Sequence, residues 1–128
     1  MDIKYARNVL RSEMAAIKSL IPLINKKFQD AAKLILACKG RIVVTGMGKT
    51  GLIGQKISAT LASTGTPSLF LHPAEAYHGD LGRVVKDDIV LALSNSGETE
   101  EVIRLIPTLK KIGVKIVVIT CSKDSPLG

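Results

Sequence analysis

The sequence is poor in the features that most often announce an activity. It has two histidines and two cysteines, and neither pair shows the spacing of a metal site. No Ser-His-Asp arrangement stands out. No metal and no cofactor are therefore expected. Cys38 and Cys121 are expected to be reduced and buried, the ordinary state of thiols in a cytosolic protein. No run of 18 apolar residues occurs, which excludes a membrane-spanning helix. The opening, MDIKYARN, lacks an apolar signal core, so a cytoplasmic location is expected and no membrane partner. No helix-turn-helix is evident. The net charge is +7, but residues 1–41 carry nine Lys/Arg against three Asp/Glu, and residues 42–128 nine against eight. The basic segment has little aromatic or glycine interleaving, which favours solvated helix faces over a nucleic-acid partner. The excess charge would help steer an anionic substrate.

What is present fits one domain of ordinary size: 128 residues, 46% of them hydrophobic. The informative stretch is IVVTGMGKTGLI at 42–53. Four β-branched residues, Ile42 to Thr45, make a short buried strand. Gly46, Gly48 and Gly51 then turn the backbone, and a helix beginning near Thr50 aims free N–H groups at the same spot. That is the construction of an anion site, commonly for phosphate. The glycine spacing fits a dinucleotide fingerprint, yet no acid appears at the end of the second strand to hold a ribose. Gly48-Lys49-Thr50 fits the end of a Walker A loop, but Val43 stands where its first glycine belongs. A strand-to-helix turn with no ligand is the plain alternative.

The remaining chain alternates strand and helix. Residues 3–20 and 24–38 form two amphipathic helices separated by Pro22, with Phe28, Ala31, Ala32, Ile35 and Leu36 inward and Gly40 as the stop. They make an appendage over 1–40 of the kind that packs against a partner subunit. A helix over 50–63 turns Leu52, Ile53, Ile57 and Leu61 to the sheet. A short strand at 68–71 leads to a polar loop, HPAEAYHGDLGR, long enough to be functional. Residues 88–93 form a third strand buried on both faces. SNSGET follows at 94–99, then a helix over 98–111 bent at Pro107, then a strand at 115–120. This pattern predicts a doubly wound parallel α/β sheet of order 2-1-3-4, with the ligand at the C-terminal ends of strands one and three. Both glycine turns fall there. Ser94, Ser96 and Thr99 add hydroxyls to the second, a cradle for a monophosphate or merely a helix cap. Lys49 sits in the first turn, free to bind phosphate or a sugar oxygen or simply solvated. His78 is the better histidine for acid–base work, and His72 an anchor for its loop. Glu101 reaches the cleft as a base or only favours the helix dipole.

GMGKTG at 46–51, ATLASTGTP at 59–67, FLHPAEAYHGDLG at 70–82 and SNSGET at 94–99 together resemble the sugar isomerase (SIS) domain, and within it the D-arabinose-5-phosphate isomerase family. Thr50 stands where that family usually has serine. The resemblance implies a SIS domain over 41–128 and an aldose–ketose interconversion of D-ribulose 5-phosphate and D-arabinose 5-phosphate through an enediol. This reaction feeds synthesis of the lipopolysaccharide sugar Kdo. It implies Lys49, His78 and Glu101 as catalytic residues, with Gly48, Thr50, Ser94, Ser96 and Thr99 around the phosphate of a phosphorylated sugar. A homo-oligomer is expected. Family members continue past the fourth strand, so a truncated domain is expected here, with turnover impaired. The alternative is a sugar-phosphate-binding module without turnover.

Overall fold

The computed structural model describes residues 2–128 and divides into two units, one up to Leu36 and the other Ala37–Gly128. In the first unit, α1 (Ile3–Ser19) starts at Asp2, whose carboxylate accepts the Lys4 N–H at 2.8 Å. Such a cap is worth about 1 kcal/mol. Pro22 occupies the first turn of a 3-10 segment, Ile21–Leu23, where a missing N–H costs nothing. Asn25 accepts the Lys27 N–H at 2.9 Å as α2 (Lys26–Leu36) begins. This helix is shorter than the 24–38 expected, and Gly40 is not its stop. Neither helix buries a residue, and Phe28 and Leu36, expected inward, are exposed.

The second unit runs β1 (Ile42–Gly46), α3 (Gly48–Ser63), β2 (Ser68–Phe70), α4 (Pro73–Tyr77), a 3-10 turn (Asp80–Arg83), β3 (Ile89–Leu93), α5 (Glu100–Ile103), α6 (Ile106–Ile112) and β4 (Lys115–Ile119). The strands are parallel in the order β2-β1-β3-β4, as the alternation predicts. β1 and β3 are buried throughout, so their β-branched and leucine side chains meet helices on both faces. On one face lies the main core, in which Val43 and Val90 pack with Leu105 and Leu109 around α6. Burying one such side chain contributes about 1.5–3 kcal/mol. α3 covers the other face.

The contact of α3 with the sheet differs from the expectation. Gly51, Gly54 and Ser58 are its buried residues, while Leu52 and Ile53 are exposed. The helix lies too close for large side chains. A Cβ on Gly54 would sit 3.0 Å from the Phe70 ring and 3.2 Å from Val44 Cγ1. Ser58 reaches the Ser68 hydroxyl at 3.0 Å, and Ser68 donates onward to the Ile42 carbonyl at 2.7 Å.

Three further expectations are corrected. The polar loop after β2 contains α4 and the 3-10 turn, because His72 caps a helix that Pro73 begins. The helix over 98–111 is two helices, since Pro107 lies in the first turn of α6 and cannot donate within a continuous one. Cys38 is half-buried and Cys121 exposed, both free; Cys121 follows the edge strand β4. Gly40 instead makes room for Asp88, whose Oδ1 would lie 2.5 Å from a Cβ there. The buried Asp88 carboxylate accepts the N–H groups of Arg41 at 2.8 Å and Val85 at 3.0 Å, tying the approach of β1 to that of β3.

Candidate active site

Register sets the site. Gly46, the last residue of β1, pairs with Leu93, the last residue of β3. Neighbouring strands lie about 4.8 Å apart. The turns that follow, Met47–Gly51 and Ser94–Thr99, therefore leave the sheet side by side at its C-terminal edge.

The first turn is shaped by glycines with different duties. A Cβ on Gly51 would lie 2.7 Å from the Gly46 carbonyl oxygen, and one on Gly46 3.2 Å from the Leu93 carbonyl oxygen. These two permit close packing. Gly48 has φ +56 with open space beside it, so it supplies the left-handed bend and leaves room for a ligand. The helix it opens, α3, begins two residues earlier than expected. Its cap residue is Met47, which offers no side-chain acceptor, and no acid sits in the first turn. The positive end of a 16-residue helix is thus left uncompensated, a favourable place for an anion. Thr50 donates to the Met47 carbonyl at 2.7 Å, leaving its oxygen able to accept. Lys49 is exposed.

The second turn is held by its own hydroxyls. Ser94 is buried; its Oγ lies 2.7 Å from Thr99 Oγ1 and accepts the Gly97 N–H at 3.0 Å. Ser96 is exposed and accepts the Glu98 N–H at 3.1 Å. The segment after β4 packs on this turn. Leu127 donates to the Gly97 carbonyl at 3.2 Å and Cys121 to the Asn95 carbonyl at 3.0 Å. Ser94 thus shapes the turn, while Ser96 and the half-buried Thr99 lie nearer solvent.

The two histidines take different positions. His72 caps α4, its Nδ1 accepting the Ala74 N–H at 3.3 Å, which is an anchoring role. His78 ends α4 and is exposed, its ring edge-on to Tyr77 with centroids 6.1 Å apart. Between α4 and α5 runs a cleft of about 160 Å³, lined by Pro73, Ala74, Tyr77, His78, Glu101 and Arg104. It brings His78 and Glu101 together; Lys49 is not among its lining residues. Tyr77 and Arg104 were missed by reading the sequence. The signal for Arg104 was its position three residues after Glu101, which puts both on one side of a helix.

One buried hydroxyl stands apart. Thr45 Oγ1 is the only buried side-chain polar atom without a hydrogen-bond partner among the described residues. Val44 faces α3, so Thr45, one residue on, faces the opposite layer, beside Ala92 of β3. Leaving a buried hydroxyl unpaired costs on the order of 1–3 kcal/mol. Thr45→Val is expected to raise stability by about 1 kcal/mol, read from the urea midpoint. A drop of that size would mean that the hydroxyl has a partner.

Comparison with known proteins gives a consistent result. The model of the SIS domain matches residues 35–128. The arabinose 5-phosphate isomerase KdsD of Pseudomonas aeruginosa is 53% identical over 126 residues, which is 98% of this chain and 39% of that protein. This chain thus spans about two fifths of the length of the curated relatives it matches. A structure of an Escherichia coli CFT073 protein in complex with arabinose 5-phosphate superposes with a TM-score of 0.83 at 41% identity, covering 99% of this chain and 70% of that one. A crystal structure from Bacteroides fragilis NCTC 9343 gives a TM-score of 0.91 at 40% identity, covering 98% and 67%.

Proposed function

This chain belongs to the SIS domain family, and from that premise we propose that it interconverts D-arabinose 5-phosphate and D-ribulose 5-phosphate through an enediol. The observation that carries the reading is the Gly46–Leu93 pairing, which sets two anion-suited turns side by side, with Glu101 two residues beyond the second of them. The phosphate sits between the uncompensated start of α3, with Gly48 and Thr50, and the second turn, with Ser96 and Thr99. Ser94 holds that turn in shape. Lys49 adds positive charge at the rim. Glu101 is the base that moves a proton between neighbouring carbons, and His78 handles the proton of the sugar oxygen. The aldose phosphate so formed serves synthesis of the lipopolysaccharide sugar Kdo. The enzyme works in the cytoplasm as a homo-oligomer, for which the exposed apolar residues of α1 and α2, such as Leu10 and Leu36, provide surface.

A second reading is binding without turnover, favoured by the separation of Lys49 from the lining of the His78–Glu101 cleft. Two measurements on the purified chain decide. Arabinose 5-phosphate and ribulose 5-phosphate are expected to raise the thermal midpoint, and ribulose 5-phosphate to be turned over. Stabilisation without turnover leaves the binding module. Stabilisation by a dinucleotide alone would overturn both readings.

A further inference from the structure

We infer that Arg104 is a further catalytic residue of this cleft, a cation that meets the negative charge developing on the sugar oxygens during proton transfer. The inference rests on the isomerase reading above and deepens it. Arg104 lines the cleft together with His78 and Glu101, the two groups assigned to move protons there. Its distance along the chain also suits the task. α5 starts directly after Thr99 and ends at its cap Arg104, so the two residues flank a single turn of helix, which rises about 1.5 Å per residue. A pentose phosphate held by its phosphate at Thr99 and laid along this helix passes Glu101 and brings its carbonyl end towards Arg104.

The guanidinium is available. Its partner in the resting structure is Glu100, four residues back at the start of α5, and both side chains are more than half exposed, at 58% and 70%. An exposed pair of this kind is weak and yields readily to a better-placed anion. The charged and titratable groups facing the cleft are His78 and Tyr77 from α4 and Glu101 from α5, with Glu100 alongside. Arg104 is the one permanent cation among them.

In the direction from the aldose, the Glu101 carboxylate takes the proton from the carbon beside the carbonyl. The C–H electron pair becomes the C=C bond, and the carbonyl π pair moves to its oxygen. That oxygen now bears the charge, and an Arg104 N–H donates to it. The proton returns to the neighbouring carbon, the hydroxyl proton passes between the two oxygens, and the ketose results. No oxidant or co-reactant enters. Aimed donors of this type act on the transition state more than on the ground state.

The test compares the parent chain with Arg104→Gln and Arg104→Lys, in turnover of ribulose 5-phosphate and in thermal midpoint. Arg104→Gln is expected to lower kcat roughly tenfold to a hundredfold with KM changed less than about threefold, and with the midpoint unmoved. Arg104→Lys should recover part of the loss, since it keeps the charge but not the fork. The inference is overturned if the parent turns over and Arg104→Gln keeps kcat within about twofold, or if only KM rises. A parent chain without turnover removes the isomerase reading itself, and this inference with it, a result distinct from either of those.

Discussion

Replacing Lys49 by alanine is expected to lower kcat/KM by about 10²–10³-fold while leaving the fold intact. Removing one well-placed charged donor from a preorganised anion site has an effect of that order. The side chain is exposed on the rim of the first turn and has no hydrogen bond or ion pair among the described residues, so its loss should change stability by no more than about 0.5 kcal/mol. Steady-state kinetics and a urea titration on one preparation check both halves. Turnover equal to the parent's would remove Lys49 from the site. A stability loss above about 1 kcal/mol would mean that the side chain supports the helix start rather than the ligand.

The largest structural effect is expected at Gly97. Its φ of +72 already disfavours any other residue. A Cβ there would lie 2.5 Å from Ser125 Cβ and 2.9 Å from Thr120 Oγ1. Both neighbours have short side chains, so relief requires the backbone after β4 to move. That movement would break the Leu127–Gly97 hydrogen bond and loosen the second turn. Gly97→Ala is therefore expected to cost about 2–4 kcal/mol and to abolish stabilisation by pentose phosphates. Adding Ser125→Gly should restore part of the stability and not all of it, because the backbone strain remains. Full restoration would show that the clash alone mattered, and a single variant as stable as the parent would refute the packing described here.

The sheet order was legible because it follows from few constraints. Parallel strands joined by helices cross over right-handed, and the β-branched run at 42–45 and the run without polar alternation at 88–93 mark the central pair. Two glycine-bearing turns after those runs pointed to one edge of the sheet, and Gly46 opposite Leu93 agrees with that. The buried face of α3 was not legible. Hydrophobic periodicity selects Leu52, Ile53, Ile57 and Leu61; the last two are half-buried, but the helix approaches so closely that its buried residues are Gly51, Gly54 and Ser58. Closeness of approach is a tertiary property that side-chain hydropathy does not record. α4 was missed for another reason. Five residues are too few to display a period, and its cap is a histidine, outside the usual set.

The candidate site divides in the same way. Its turns were readable because local backbone demands choose glycine and small hydroxyl residues. For the three hydroxyls of the second turn the sequence left open a phosphate cradle or a helix cap; it does not record that Ser94 and Thr99 bond to each other and that Ser94 also accepts the Gly97 N–H. The company of His78 and Glu101 came from the resemblance and not from spacing or periodicity, since 22 positions separate them and only the packing of α4 beside α5 joins them. Tyr77 and Arg104 entered with that packing.

The clasp between Ser94 and Thr99 has a consequence for kinetics. A corner that is already folded on itself has little left to organise when a ligand arrives. Capture then carries a small ordering penalty, and its speed is governed by diffusion and long-range attraction rather than by rearrangement. Association should consequently slow as added salt screens the chain's excess positive charge, with departure of the ligand much less affected.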